Sequence, residues 1–226
     1  VASRGLGDVY KRQIIEGSGK GFSAGHNLKE VRSLKKKSKY NKLFNLCSKL
    51  MIEIVEGRKP VIAKVHGAAF AAGCQLVASC DLAYASKNAS FATPGVNIGL
   101  FCSTPMVAVS RNIPNKQSME MLLTGDLISA DKAEKIGLVN QAVDGALLKK
   151  ITLEAAQKIS KKSAMTLKIG KEAFYKQIDM TLSEAYDYAS SVMAVSYTHL
   201  RANETLRYLG WRGLLEKKKG GGGGGG

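Results

Sequence analysis

PVIAKVHGAAFAAGCQLVASCDLAYAS, residues 60–86, decides the fold. Pro60 cannot continue a helix, and Val61-Ile62-Ala63-Lys64-Val65 is a short β-branched run of the kind found in a largely buried strand. Gly67, Ala68, Ala69, Ala71, Ala72 and Gly73 follow, side chains small enough for one backbone to approach another backbone or a ligand closely. Cys74 to Cys80 has the apolar content of a buried helix. Asp81 to Ser86 and Ser90 to Thr93 read as two more strands, with Asn88 in the turn between them.

On the N-terminal side, Ile14 and Ile15 read as the last residues of a buried strand. The glycine-punctuated turn Glu16 to Gly21 and the segment Phe22-Ser23-Ala24-Gly25-His26-Asn27-Leu28 come next. From Lys29 to Val55, Leu43, Leu46, Cys47, Leu50 and Ile54 recur at helical spacing, which predicts one long amphipathic helix. On the C-terminal side, Ser129 is placed to cap a helix over 130–136 and Gly137 to close it. Leu138 to Val143 is a last strand candidate, and helices are predicted near 145–162, 164–177 and 181–194. Strands alternating with helices and a helical finish predict an α/β layer architecture with a helical appendage.

The chain has 226 residues, 45% hydrophobic and 23% charged, within the range of ordinary globular proteins. Charged or polar residues interrupt every apolar run, so no spanning helix and no membrane partner are expected. Cys47, Cys74, Cys80 and Cys102 lack a CxxC pair and sit in apolar segments, as packed free thiols do. His26, His66 and His199 show no ligand spacing with them, so no metal is expected. The formal charge is +16, and residues 13–195 carry 25 basic and 15 acidic side chains. The excess lies in Lys29 to Lys42 and Lys149 to Lys176, to be read as solvated helix faces or as attractors of a phosphorylated small molecule.

Residues 1–12 (VASRGLGDVYKR) and 196–226, which end in seven glycines, do not continue the pattern of their neighbours. GLGDVYKRQ and VSYTHLRANET resemble sequencing-adaptor read-through, so both ends are expected to be foreign to the fold. A genuine glycine-rich flexible tail is the alternative. Lys11 and Arg12 alone do not make a targeting peptide.

GFSAGHNLKE, PVIAKVHGAAFAAGCQLVASCDLAYAS, FATPGVNIGL and LLTGDLISADKAEKIGLV together resemble the crotonase, or enoyl-CoA hydratase/isomerase, superfamily over residues 13–195. The resemblance implies a ClpP/crotonase-like α/β spiral core of repeated ββα units over 13–144 and a C-terminal helical region over 145–195. It also implies that roughly fifty or more residues of strand and helix precede Gln13 in the family, a serious fraction of a domain. Two backbone N–H groups, of His26 and of Ala72, then stabilise the enolate oxygen of a thioester. Donors fixed in advance cost no reorganisation as charge develops. Many relatives have glycine where Ala72 stands, so the arrangement requires backbone angles that tolerate a β-carbon.

The same resemblance places Gln75 and Gly95 where hydratases carry their two glutamates. Neither moves a proton near neutral pH. Gln75 can orient a water, and Gly95 offers only space. A further carboxylate position used by some relatives falls at Ser103, between Cys102 and Thr104. Cys102 reads as a buried structural thiol or as a nucleophile, and His66 as a loop histidine or as a neighbour of the acyl pocket. Ser23, Ala24 and His26 belong to the turn that holds the adenine, and Lys29 matches a phosphate-contacting lysine. Arg32 and Lys35 to Lys37 are looser candidates, and Asn27 replaces an aspartate. The ligand implied is a coenzyme A thioester, with no covalently bound cofactor and no metal. A homotrimer and a mitochondrial setting are implied too. Three functions stay open: an acyl-CoA-binding protein of fatty-acid metabolism without standard hydratase activity, an active hydratase/isomerase or acyl-CoA hydrolase with altered acid and base, and a basic nucleic-acid binder.

Overall fold

The structure, a computed structural model, describes residues 12–198. The chain divides into two compact units, one up to Lys171 and one from Glu172. In the first, β1 (Gln13–Glu16) leads through the turn at Gly17–Gly21 to α1 (Leu28–Ser33) and α2 (Lys37–Glu56). Then come β2 (Val61–Val65), β3 (Ala69–Phe70), α3 (Ala72–Ser79), β4 (Leu82–Ser86) and β5 (Ser90–Ala92). A 3-10 turn (Pro94–Ile98) precedes α4 (Ser103–Asn112), α5 (Asn115–Thr124), β6 (Ile128–Ser129), α6 (Ala130–Lys135), β7 (Gln141–Val143), α7 (Gly145–Ser160) and α8 (Ala164–Gln177).

Four strands form a parallel sheet in the order β1-β2-β4-β7. Val61, Ile62, Ala63 and Val65 of β2 are all buried, as a central strand covered on both faces requires. Helix α7 packs against β2 and β4. A second sheet pairs β3 with β5 in parallel and β5 with β6 antiparallel. The strand, helix and strand readings around residues 60–93 hold, as does the α/β class. Ser129 caps α6 by accepting the Lys132 N–H at 3.2 Å, and Gly137 closes it with φ +86°.

Two expectations are corrected, and one stretch gains its assignment. The helix foreseen from Lys29 to Val55 is broken at Leu34–Lys36, where Lys35 has φ +51°. No apolar side chain at Lys35 to Lys37 anchors a continuous helix through the break. Residues 103–124, which show no decisive pattern in the sequence, fold into α4 and α5. The strand foreseen over 138–143 shrinks to β7, because Asn140 joins β4 through its N–H to Ala83 O (2.8 Å) and its side-chain oxygen from Ala83 N–H (2.7 Å).

Lys171 of α8 donates to Ile54 O (2.6 Å), Lys59 O (3.0 Å) and Asp81 Oδ2 (2.7 Å). Asp81 Oδ2 also accepts the Val61 N–H at 2.7 Å, so the end of α2, the start of β2 and the start of β4 share one ionic knot. In the second unit a helix runs over 182–198, and the Lys176 ammonium lies 4.7 Å from the centre of the Tyr188 ring. That helix passes through Val195 and continues to residue 198. The reading of residues 1–11 and 199–226, His199 included, lies outside the described residues.

Candidate active site

The small residues of the decisive stretch bring two turns into backbone contact. Ser23 bridges to Ala69: its N–H donates to Ala68 O (3.0 Å) and its carbonyl accepts from Phe70 N–H (2.8 Å). Beyond it Gly25 has φ +85°, and a β-carbon there would stand 3.0 Å from Ala72 N. A β-carbon on Gly73 would collide with the Ser23 carbonyl. Both glycines are therefore set by space, and Gly25 by its backbone angle as well.

The strained position is Ala71, with φ +50° and ψ −116°, and not Ala72. Ala71 N–H is tied to Ala92 O at 2.9 Å, which holds the peptide in that region. Ala72 is the first residue of α3, so its β-carbon is accommodated. Among the described residues neither the His26 N–H nor the Ala72 N–H donates to a protein acceptor. The Ala72 amide also sits at the positive end of a helix. His26 turns its ring edge-on to Phe44, with centroids 5.5 Å apart.

Gln75 is buried on α3. Its side-chain oxygen faces the Cys47 thiol at 4.0 Å, a long contact that leaves the amide weakly held. Gly95 departs from expectation. A β-carbon there would collide with the Leu100 carbonyl and lie 2.8 Å from Cys102 Sγ, so the loop over 99–102 fills the space a side chain would need. Leu100 N–H donates to Gly95 O at 2.9 Å and holds that loop down.

All four cysteines are free thiols, three of them buried. Burial pushes the Cys74 and Cys80 thiols up to about 12. Burial also raises Cys102, and a hydrogen bond from the Gly95 backbone partly offsets it. A thiol held in its neutral form is a poor nucleophile, which favours the packing role of Cys102. His66 Nε2 lies 3.0 Å from Gly19 O and lines a polar recess with Glu16, Lys64 and Lys149, where Lys64 pairs with Glu16.

Asn27 caps α1: its side-chain oxygen accepts the Lys29 N–H at 3.1 Å and its amide donates to Glu30 at 2.9 Å. Lys29, Arg32 and Lys35 to Lys37 are exposed. Among the described residues no three His, Cys, Asp or Glu are placed to share a metal. The contributions of Leu100 and Ala71 escaped the sequence reading, because a single carbonyl and a single backbone angle leave no residue pattern.

The enoyl-CoA hydratase/isomerase family matches residues 8–220 of this chain. Human enoyl-CoA hydratase domain-containing protein 3, mitochondrial, is 48% identical over 180 residues, covering 80% of this chain and 59% of that protein. The rat protein of the same name is 46% identical over 185 residues, covering 82% and 62%. The chain thus spans about three-fifths of the length of these curated relatives. The crystal structure of the human protein superposes with a TM-score of 0.78 at 48% identity, over 80% of this chain and 72% of that one. An enoyl-CoA hydratase from Mycobacterium smegmatis superposes at 0.80 with 47% identity, over 82% and 72%. Matched over nearly its whole length by the family and sharing its fold, the chain belongs to the enoyl-CoA hydratase/isomerase family.

Proposed function

We propose that this chain binds acyl-CoA thioesters with the His26 and Ala72 N–H groups on the thioester oxygen, and that it does not hydrate enoyl-CoA by the two-carboxylate route. The observation that carries this reading is the contact of Gly25 with Ala72, which sets two unengaged amides on adjoining turns. Ser23, Ala24 and His26 then border the adenine, and Lys29 meets a phosphate. The oxyanion receives its stabilisation from the main chain, whereas Gln75 and Gly95 supply no acid or base. The setting is mitochondrial fatty-acid metabolism, and the protein works as a homotrimer, both by relation to its family.

A second reading, acyl-CoA hydrolysis or isomerisation, draws on Gln75, whose weakly held, buried amide suits the orientation of a water. Calorimetric titration of the full-length protein with short, medium and long acyl-CoAs, followed by product analysis, separates the two. Binding without turnover supports the first reading, and a hydrolysed or isomerised product supports the second. No binding at any chain length overturns both.

A further inference from the structure

Helix α2 carries an exposed stripe that serves neither the core nor the turns at Ala72. Lys39, Lys42, Leu46, Lys49 and Leu50 recur at three- and four-residue spacing, which places them on one face of the helix. All five are exposed, Leu46 by 66% and Leu50 by 52%. The buried Met51 lies on the far side of the helix, and the buried Ile54, four residues on from Leu50, marks the edge where the stripe meets the core. Residues 29–50 contain eight lysines and arginines and a single acid, Glu30. Among the described residues none of the eight is ion-paired.

We propose that this face of α2 is a membrane-surface contact, with Lys39, Lys42 and Lys49 on anionic lipid headgroups and Leu46 and Leu50 in the headgroup boundary. The expectation of no membrane partner rests on the lack of a spanning helix and does not bear on a contact parallel to the surface; no helix among the described residues is long and apolar enough to cross a membrane. Lys39 to Lys49 spans about 15 Å of helix, a line of charge longer than one ligand's phosphate group and suited to an extended anionic surface. Two exposed leucines beside the lysines distinguish this face from one that tracks nucleic acid, which offers stacking aromatics. The aromatics of α2, Tyr40 and Phe44, are instead half-buried, and Phe44 is engaged by His26. Glu53, exposed on the same face, marks its C-terminal limit. The proposal does not rest on the acyl-CoA reading, and either can fail without the other.

Sedimentation of the full chain with phosphatidylcholine vesicles, with and without phosphatidylglycerol, tests it. Binding is expected only to the anionic vesicles. The K39E/K42E/K49E and L46S/L50S variants are each expected to weaken it by about tenfold or more, since charge and buried apolar area both contribute. In Leu46→Trp, indole emission should shift to the blue when anionic vesicles are added. Absence of binding overturns the proposal, as does binding unchanged by L46S/L50S. Binding of an RNA oligonucleotide as tight as that of vesicles and indifferent to the leucines shows a general polyanion site instead. A fall in oligomeric mass of L46S/L50S shows that the face covers a second copy of the chain.

Discussion

The carbonyl of Leu100 occupies the place where a side chain at residue 95 would begin. The glycine is thus not an open slot left by a lost glutamate, because the loop that follows has closed onto it. Gly95→Ala should destabilise the protein by about 1–3 kcal/mol, the usual cost of overpacking a filled site. Urea denaturation reads the change, and an unaltered midpoint would show that the loop moves aside freely. Introducing two glutamates, as Gln75→Glu with Gly95→Glu, should give little hydratase activity, since the second carboxylate cannot enter without displacing residues 99–102.

Gly73→Ala should separate the two turns, because the added methyl meets the Ser23 carbonyl. Affinity for acyl-CoA should fall by up to about tenfold, roughly the net worth of one hydrogen bond. Gly170→Ala, where a β-carbon meets nothing within 4 Å, is the control and should leave binding unchanged. Calorimetry on the two variants decides it, and equal affinities would remove the turn contact from the site.

Lys171→Ala should be among the most damaging substitutions outside the core. The lysine side chain is 6% exposed and its Asp81 partner 16%, so the carboxylate would lose its ammonium away from bulk water. Breaking such a pair from one side costs about 3–5 kcal/mol. Chemical denaturation should show it, and a change below about 1 kcal/mol would mean that water enters and screens Asp81.

The buried thiols give the protein an alkaline weakness. Folding raises Cys74 and Cys80 to about 12, so between the ordinary thiol range and that value the native state holds protons that the unfolded chain has released. Stability therefore falls as pH rises through that window, by about 1.4 kcal/mol per pH unit for each thiol. Melting temperatures from pH 8 to 11 should decline less steeply in a Cys74→Ala/Cys80→Ala variant than in the parent. Equal slopes would assign the decline to other groups.

Much of this was legible in the residues. The β-branched run at Val61–Val65, the crowded small side chains at 67–73 and the cap at Ser129 each have a local cause, and each appears where that cause places it. Position 72 was readable only in part. Its alanine marked a question about backbone angles, and the answer lies one residue earlier, at Ala71, where sequence gives no sign of φ +50°. The break between α1 and α2 was hidden because helical period is carried by apolar positions and Lys35 to Lys37 have none. Lys171 and Asp81 are ninety residues apart, and nothing local in either stretch announces a pairing made by tertiary packing.

The meeting of Ser23 with Gly73 bears on how such a protein changes over generations. Groups borne by the peptide chain survive the exchange of nearly any side chain around them, so His26 and Ala72 are free to drift while their amides stay put. On the proposed acyl-CoA reading, an acid or a base could be lost and the pair of amides kept, provided the two glycines persist.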